Sequence, residues 1–231
     1  MMLNYYGNED KIHVSVDCII LGFKDKEINV LIIKRKFEPL KGERSLMGGF
    51  VRRNESLDET VMRVVADYTG VENVYMEQVG AYGAVDRDPA GRVISVVYYA
   101  LIDMQQFDEK LKKQHNAEWV NINSVGTLIL DHNRFLNDTI RLLKRRTANR
   151  PVGFNLLPEK FTLPQLQSLY EAIYQKNLDK RNFRKKIFEM DILEKLDEKD
   201  KITSKRGAYY YKFDKEKYDR LLEDGFSFSF I

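Results

Sequence analysis

Apolar and polar positions in the first half of the chain follow the pattern of strands joined by turns. Residues 14–20 and 28–33 are β-branched runs, and the polar stretch 24–27 between them predicts a hairpin. Residues 93–102 are almost continuously apolar, which predicts a strand buried on both faces. Residues 119–122 predict one more short strand. This half of the chain is therefore expected to form a sheet.

Two helices are expected among these strands. Ser56 and Glu59 have the spacing of a capping box, and Gly70 is a suitable C-cap, so a helix is predicted between them. A second helix is predicted over residues 135–146. The buried stripe of the first helix is expected to comprise Val61, Val64, Val65 and Tyr68.

The last third of the chain changes to a helical period. Thr162 is a suitable N-cap for one helix, and Asp179 is a suitable N-cap for a second helix over residues 180–190. Residues 192–196 and 208–213 then predict two strands around a charged loop with a basic tip. Two helices joined by a short turn and followed by a hairpin predict a winged helix-turn-helix.

The segment 145–151 is polar and basic and ends in proline, which favours a domain boundary. We therefore expect two domains, residues 1–148 and residues 149–231. A chain of 231 residues that is 43% hydrophobic can form two modest cores. The single cysteine, Cys18, excludes an intramolecular disulfide and suits a reducing cytoplasm. The N-terminus lacks a signal-peptide pattern, and no apolar run reaches the ~20 residues of a membrane span, so no membrane contact is expected.

The second predicted helix of the winged unit carries a basic face. Arg181 and Lys185 project opposite its apolar face, and Arg and Asn side chains can pair with guanine and adenine edges in the major groove. The net charge of +3 is too small to predict a polyanion partner by itself, so this local cluster carries the prediction. The residues expected to contact double-stranded DNA are Thr162, Gln165, Lys180, Arg181, Asn182, Arg184, Lys185, Lys186, Lys205 and Arg206.

Three other interpretations of this face stay open. It could be a solvated surface, it could bind RNA, or it could meet an acidic partner in a protein-binding adaptor. Phe188 also projects outward, where it could meet a thymine methyl group or pack under the wing.

A motif in the first half resembles a Nudix box that has lost part of its chemistry. Gly49, Glu55, Arg63 and Gly70 lie in register with the box, but its other three glutamates are replaced by Val64, Asp67 and Tyr68. A hard divalent cation needs several oxygen ligands, so we expect no metal, no cofactor and no enzyme activity. Arg63 and Asp67 are spaced for an ion pair along one helix face.

The two halves together resemble the Nudix-related transcriptional regulators of the NrtR type. The residues that carry this resemblance lie at 45–51, 86–89, 155–158, 161–163, 166–173 and 179–185. The resemblance implies an α+β fold, with an N-terminal Nudix-like α/β/α sandwich and a C-terminal winged helix-turn-helix. It also implies a homodimer on a palindromic operator, and an effector that is either ADP-ribose or, in a sugar-responsive branch, a pentose such as L-arabinose.

The altered box favours the sugar-responsive branch, so the sequence predicts a repressor with a pentose effector. A sensor of ADP-ribose and a Nudix hydrolase with residual metal-dependent pyrophosphatase activity are the alternatives. A sugar site needs fixed polar groups for the hydroxyls of the ligand. His132 could belong to this pocket or only begin a helix. The residues expected to line the effector pocket are Arg35, Glu38, Gln78, Asp86, Arg87 and Asp131.

Overall fold

The computed structural model describes residues 7–72, 74–106, 109–201, 207–225 and 229. Seven strands of the first half form one sheet. They are β1 (His13–Lys24), β2 (Glu27–Lys34), β3 (Arg44–Ser45), β4 (Met47–Phe50), β5 (Tyr75–Tyr82), β6 (Val93–Ile102) and β7 (Ala117–Asn121). The four strands predicted from the sequence are all present.

The sheet is mixed, and its centre is the parallel pair β1 and β6. The main path runs β3-β2-β1-β6-β5, while β4 pairs with β1 and β7 pairs with β2. The predicted hairpin joins β1 to β2 through Asp25 and Lys26, which both have positive φ. Nine of the ten residues of β6 are buried, because the strand lies inside the sheet with both faces covered.

Helices cover both faces of this sheet. The box helix α1 (Leu57–Thr69) packs Val61 and Val64 against Cys18 and Ile20 of β1. The alternate residues of β1, including Ile19, lie in a second cluster with residues of α3 (His132–Asn149). A short helix, α2 (Glu109–Gln114), precedes β7. Successive side chains of a strand point to opposite faces, so this pattern confirms the expected α/β/α sandwich.

The box helix begins and ends where the sequence predicted. The Ser56 side chain accepts a hydrogen bond from the Glu59 backbone N–H, and the Glu59 carboxylate accepts one from the Ser56 N–H. Gly70 ends the helix with φ 71°, in the left-handed region that glycine adopts without strain.

The last third of the chain forms a winged helix-turn-helix. Helices α4 (Leu163–Tyr174) and α5 (Lys180–Glu189) are followed by strands β9 (Leu193–Asp200) and β10 (Ala208–Phe213). A two-residue strand, β8 (Phe161–Thr162), completes the sheet in the order β8-β10-β9. A final helix, α6 (Lys215–Glu223), was not predicted. Tyr218, Leu221 and Leu222 have helical spacing, but only Tyr218 is buried.

The expected linker is not a free connection. Helix α3 continues to Asn149, and a 3₁₀ turn at Pro151–Leu156 follows, with its apolar residues buried. One apolar cluster contains residues of both halves, from Ile19 to Tyr218. The Tyr174 hydroxyl also donates a 2.9 Å hydrogen bond to the Lys144 carbonyl oxygen. The division into residues 1–148 and 149–231 stays a prediction. Across the described residues, no helix combines the length and the hydropathy needed to cross a bilayer.

Candidate effector pocket and DNA-binding surface

A cleft of about 290 Å³ opens beside β1, β2 and β4 and the start of α3. Its walls carry charged, hydroxyl and aromatic groups. Among them are Asp17, Arg35, Ser45, Tyr68, Arg87 and His132. A concave site with a few convergent polar groups is the usual form of a small-molecule pocket.

Two of the six residues expected in an effector site line this cleft, and a third is bonded to one of them. Arg35 and Arg87 line it. Asp131 accepts two hydrogen bonds from the Arg87 guanidinium, at 2.8 and 3.1 Å. The Arg87 side chain is only 3% exposed, so this ion pair fixes the wall of the cleft from behind.

The other three expected residues do not line the cleft. Gln78 is exposed on β5, which is an edge strand separated from β1 by β6. Asp86 is exposed in its turn, and only its neighbours Arg87 and Asp88 reach the cleft. Glu38 is exposed in the loop after β2, just past the lining residues of that loop. The structure thus places these three residues outside the cleft, because neither the order of the strands nor the direction of a loop side chain follows from local sequence.

The floor of the cleft is a buried polar group of residues that the sequence analysis did not identify as a unit. Ser95 donates a hydrogen bond to the Asp17 carboxylate, and both residues are buried. The Asp17 carboxylate also faces the ring of His132, whose other nitrogen accepts a 3.2 Å hydrogen bond from the Leu46 backbone N–H. A polar residue inside the apolar run 14–20 was the available signal for Asp17.

His132 is both a pocket residue and the first residue of α3. Burial lowers the pKa of its imidazole, although the nearby Asp17 carboxylate opposes this shift. The neutral ring is therefore favoured, and its Nδ1 atom must be the unprotonated acceptor for the Leu46 N–H. This tautomer has a proton on Nε2, on the side of Asp17.

An aromatic wall of the cleft lies at the end of α1, where the sequence analysis expected a changed Nudix box. Tyr68 stands at a position of a box glutamate, and its ring packs against the His115 ring at 4.5 Å. Both rings line the cleft. Tyr68 is half-buried rather than fully enclosed in the helix stripe, because its side chain forms this wall. The Arg35 guanidinium lies over the Phe37 ring at 4.1 Å, which gives the rim a cation beside an aromatic face.

The remaining carboxylates of the box are occupied by protein partners. Glu55 accepts hydrogen bonds of 2.8 and 2.9 Å from the Arg63 guanidinium and one of 3.1 Å from Thr60. The bond from Arg63 is the main cause that lowers the pKa of Glu55 to about 2. The predicted pair of Arg63 with Asp67 exists at 3.9 Å but is secondary, since Glu55 is the closer partner. In the ranges that the structure covers, no group of three or more His, Cys, Asp or Glu could hold a metal ion.

The predicted DNA-binding face lies on the surface of the winged unit. Phe183 and Ile187 bury one side of α5. The Phe188 ring is half-exposed, and its centroid lies 6.0 Å from that of the Tyr211 ring on β10. This contact agrees with the predicted packing of Phe188 under the wing. The predicted α5 contacts that are exposed comprise Lys180, Arg181, Asn182, Arg184, Lys185 and Lys186. These roles stay predictions, with a geometry that permits them.

Thr162 and Gln165 have structural roles at the start of α4. Thr162 is only 2% exposed, and its hydroxyl accepts a hydrogen bond from the Gln165 backbone N–H. The Gln165 side-chain oxygen accepts from the Thr162 N–H at 2.7 Å. The Thr162 side chain therefore caps α4 instead of contacting DNA directly, because almost all of its surface is buried. Lys205 and Arg206, the predicted wing contacts, lie outside the described residues.

Comparisons with known proteins agree with this two-part architecture. The NUDIX domain matches residues 11–143, and the NrtR DNA-binding winged helix domain matches residues 153–213. A protein named ADPR responsive transcriptional repressor NtrR, from Acinetobacter baylyi, is 33% identical over 218 residues, which cover 91% of this chain and 87% of that protein. The chain belongs to the NrtR family.

Structures of Shewanella oneidensis NrtR extend the comparison. Its complex with a 27mer DNA has a TM-score of 0.80 and 28% identity, over 87% of this chain and 93% of that one. Its NUDIX domain complexed with ADP ribose has a TM-score of 0.51 and 27% identity, over 61% of this chain and 97% of that one.

An enzyme also matches the first half of this NrtR-family chain. The ADP-ribose pyrophosphatase of Methanocaldococcus jannaschii is 36% identical over 129 residues, which cover 55% of this chain and 73% of that protein. The resemblance to NrtR-type regulators inferred from the sequence is thereby confirmed. The assignment to a sugar-responsive branch is not part of what these relatives show.

Proposed function

We propose that this NrtR-family protein is a transcriptional repressor whose Nudix domain senses an effector that contains a pentose. The proposal rests on the exposed basic face of α5 in the winged domain. This domain packs in one apolar cluster with the Nudix half, which contains a polar cleft of a size suited to a small ligand. The face of α5 suits the major groove of an operator, and the cleft suits the effector.

Two sources of the pentose are consistent with the cleft. The relatives named for ADP-ribose favour that ligand, and the cations Lys34, Arg35 and Lys36 at the cleft suit its diphosphate. A free pentose is the second candidate, because Glu55 is held by Arg63 and is not available to help a cation bind a diphosphate. The pentose ring is the chemistry that both candidates share.

We further propose that the protein is not a hydrolase. The residues present do not fit the divalent cation of a Nudix enzyme: Val64 is buried and apolar, and Tyr68 packs on His115. Asp67 is 60% exposed and lies nearest Arg63. A hard cation requires several convergent oxygen ligands, which these side chains do not supply.

Helix α3 offers a physical connection between the two functions. Its first residue, His132, lies in the cleft, and the Thr147 hydroxyl near its other end lies 3.1 Å from the Tyr174 hydroxyl of α4. An effector that prefers one position of α3 would change the position of the winged domain, since the helix is packed at both ends. Only such a difference in affinity between two states can shift DNA binding.

A homodimer on a palindromic operator is part of the proposal, because a two-fold symmetric protein reads two half-sites one helical turn apart. A repressor must share a compartment with its operator, so a cytoplasmic location is also proposed.

The test uses the full chain and duplexes selected from a random pool. Fluorescence anisotropy should show a preferred duplex, and either ADP-ribose or L-arabinose should change its affinity at constant salt. Hydrolysis of ADP-ribose with Mg²⁺ or Mn²⁺ is measured in parallel. A lack of preference for any duplex over random competitor would contradict the DNA-binding role. Robust turnover that is lost in Glu55→Gln would instead identify an enzyme.

Replacement of Tyr174 with phenylalanine tests the proposed connection through α3. Tyr174→Phe removes the hydrogen bonds to Lys144 and Thr147 and leaves the ring in place. We expect the effector-dependent change in DNA affinity to fall by about 0.5–2 kcal/mol, while effector binding itself changes little. Anisotropy titrations with and without effector measure this change. Tyr210→Phe, on a strand of the wing, is the matched control, and an equal loss there would argue against the connection.

A further inference from the structure

Two polar groups at the floor of the cleft face each other across a gap. The Asp17 Oδ1 atom lies 3.7 Å from the His132 Nε2 atom, beyond the usual range of a hydrogen bond. Their side chains are 12% and 5% exposed, so both groups are largely removed from bulk water. Largely buried polar groups in proteins normally have a hydrogen-bond partner, and the cleft that both residues line offers a place for one beside the pair.

The roles of the two atoms are fixed by their other contacts. The Ser95 hydroxyl donates a hydrogen bond to Asp17 Oδ2, which leaves Oδ1 as the acceptor on the side of His132. The Leu46 N–H donates to His132 Nδ1, which leaves the proton of the neutral ring on Nε2. One side of the gap therefore accepts a hydrogen bond and the other side donates one.

Glycine keeps the carboxylate accessible. A Cβ atom at Gly48 would lie 2.5 Å from Asp17 Oδ1, closer than a real Cβ contact permits. Gly48 also lines the cleft. The absence of a side chain thus leaves room beside the oxygen atom that a ligand would need to reach.

We propose that Asp17 and His132 form a hydroxyl-binding subsite for the pentose unit of the effector. One ring hydroxyl lies beside the pair in the cleft and bridges the two groups: it donates a hydrogen bond to Asp17 Oδ1 and accepts one from His132 Nε2. Because the two atoms are 3.7 Å apart, an oxygen atom can lie at a distance of about 2.8 Å from each. This inference rests on the proposed function, since it names how the same cleft recognises its ligand.

The subsite also sets the orientation of the ligand. A phosphate oxygen accepts hydrogen bonds and carries negative charge, so the Asp17 carboxylate repels it, whereas a hydroxyl can both donate and accept. The sugar is therefore directed to the floor, and any phosphate is directed to the cations of β2 and its loop, Lys34, Arg35 and Lys36. A free pentose would bind only to the polar groups at the floor of the cleft.

The test begins with His132→Asn, because asparagine can retain an acceptor near the position of Nδ1 while it removes the Nε2 proton. Calorimetric titration with ADP-ribose and with L-arabinose is performed on the wild type, His132→Asn and Asp17→Asn. For the ligand that binds the wild type, we expect each variant to weaken binding about 10- to 100-fold, the loss of a hydrogen bond to a buried polar or charged partner. Glu72→Gln, an exposed residue outside the cleft, should bind as the wild type does.

Analogues of the bound ligand that each lack one hydroxyl separate recognition from a structural role. The wild type should discriminate strongly against one analogue, and His132→Asn should lose that discrimination. Equal discrimination in the wild type and the variant would overturn the subsite. The analogue series on the wild type needs no variant, so uniform affinity across all analogues would overturn it even if the variants do not fold.

The failure of the subsite and the failure of the proposed function have different signatures. If the wild type binds neither ADP-ribose nor L-arabinose, the proposed effector class is wrong and the subsite is rejected with it. If the wild type binds one of them and His132→Asn binds it equally well, only the subsite is rejected. Weaker binding by both variants with retained folding, checked by thermal unfolding, supports it.

Discussion

Arg181→Ala is expected to relax the preference of the protein for one base pair of each half-site by about 1–3 kcal/mol. Arg181 is exposed on the face of α5 opposite Phe183 and Ile187, where a guanidinium can reach a base edge. The variant should bind the preferred duplex more weakly than the wild type does, and this difference in affinity should be smaller on a duplex changed at that base pair. Anisotropy titrations of both duplexes measure the difference.

Two matched variants give this experiment its controls. Arg53→Ala removes the same charge from an exposed position of the Nudix half, so it should leave sequence preference unchanged. Lys186→Ala, nearer the edge of the face, should weaken binding to all duplexes alike and reduce the salt dependence. Equal losses on preferred and random duplexes for Arg181→Ala would indicate a non-specific or protein-binding surface instead.

Asp131→Asn is expected to destabilise the fold by about 3 kcal/mol, near the lower end for a broken buried ion pair because Asp131 is still partly exposed. The Arg87 side chain is 3% exposed, and two hydrogen bonds join its guanidinium to Asp131. Without the carboxylate, a positive charge would stay buried with no compensating partner. Urea unfolding followed by circular dichroism measures the change.

Two further variants test whether the burial of Arg87 causes this loss of stability. Replacing both members, with Arg87→Met and Asp131→Leu, should recover most of the lost stability, since no buried charge is left behind. Arg141→Ala breaks a pair in which Arg141 is 74% exposed, and it should cost less than about 1 kcal/mol. A similar cost for Asp131→Asn and Arg141→Ala would show that burial of Arg87 does not govern the stability of this pair.

The elements of the fold could be predicted because their signals are local. The capping box at Ser56, the stop at Gly70 and the strand 93–102 depend on neighbours within a few positions, and the structure confirms them. Helix α6 was missed because it is a short, highly charged helix of nine residues that buries only Tyr218. The expected linker segment 145–151 is the end of α3 and the start of a 3₁₀ turn, because a charged sequence can also form the exposed side of a helix that packs on its other side.

The candidate effector cleft could be predicted only in part because it is assembled from distant positions. Asp17 and Ser95 are neighbours only because β1 and β6 pair in parallel, and no local pattern gives that pairing. Gln78 was expected in the site, but β5 contains a bulge between Gln78 and Gly80 and lies at the sheet edge. The exposure of the predicted residues on α5 was easier to anticipate, since a single helix presents them on one face.

The continuous apolar cluster that joins both halves has an evolutionary consequence. Substitutions at the junction, around the buried turn Pro151–Leu156, alter the packing of the ligand sensor and of the operator reader together. We therefore expect that exchanging one half for that of another protein would disturb the packing of the other half. Adaptation to a new small molecule is expected to proceed by substitutions inside the cleft, where side chains can vary without changing the apolar cluster between the halves.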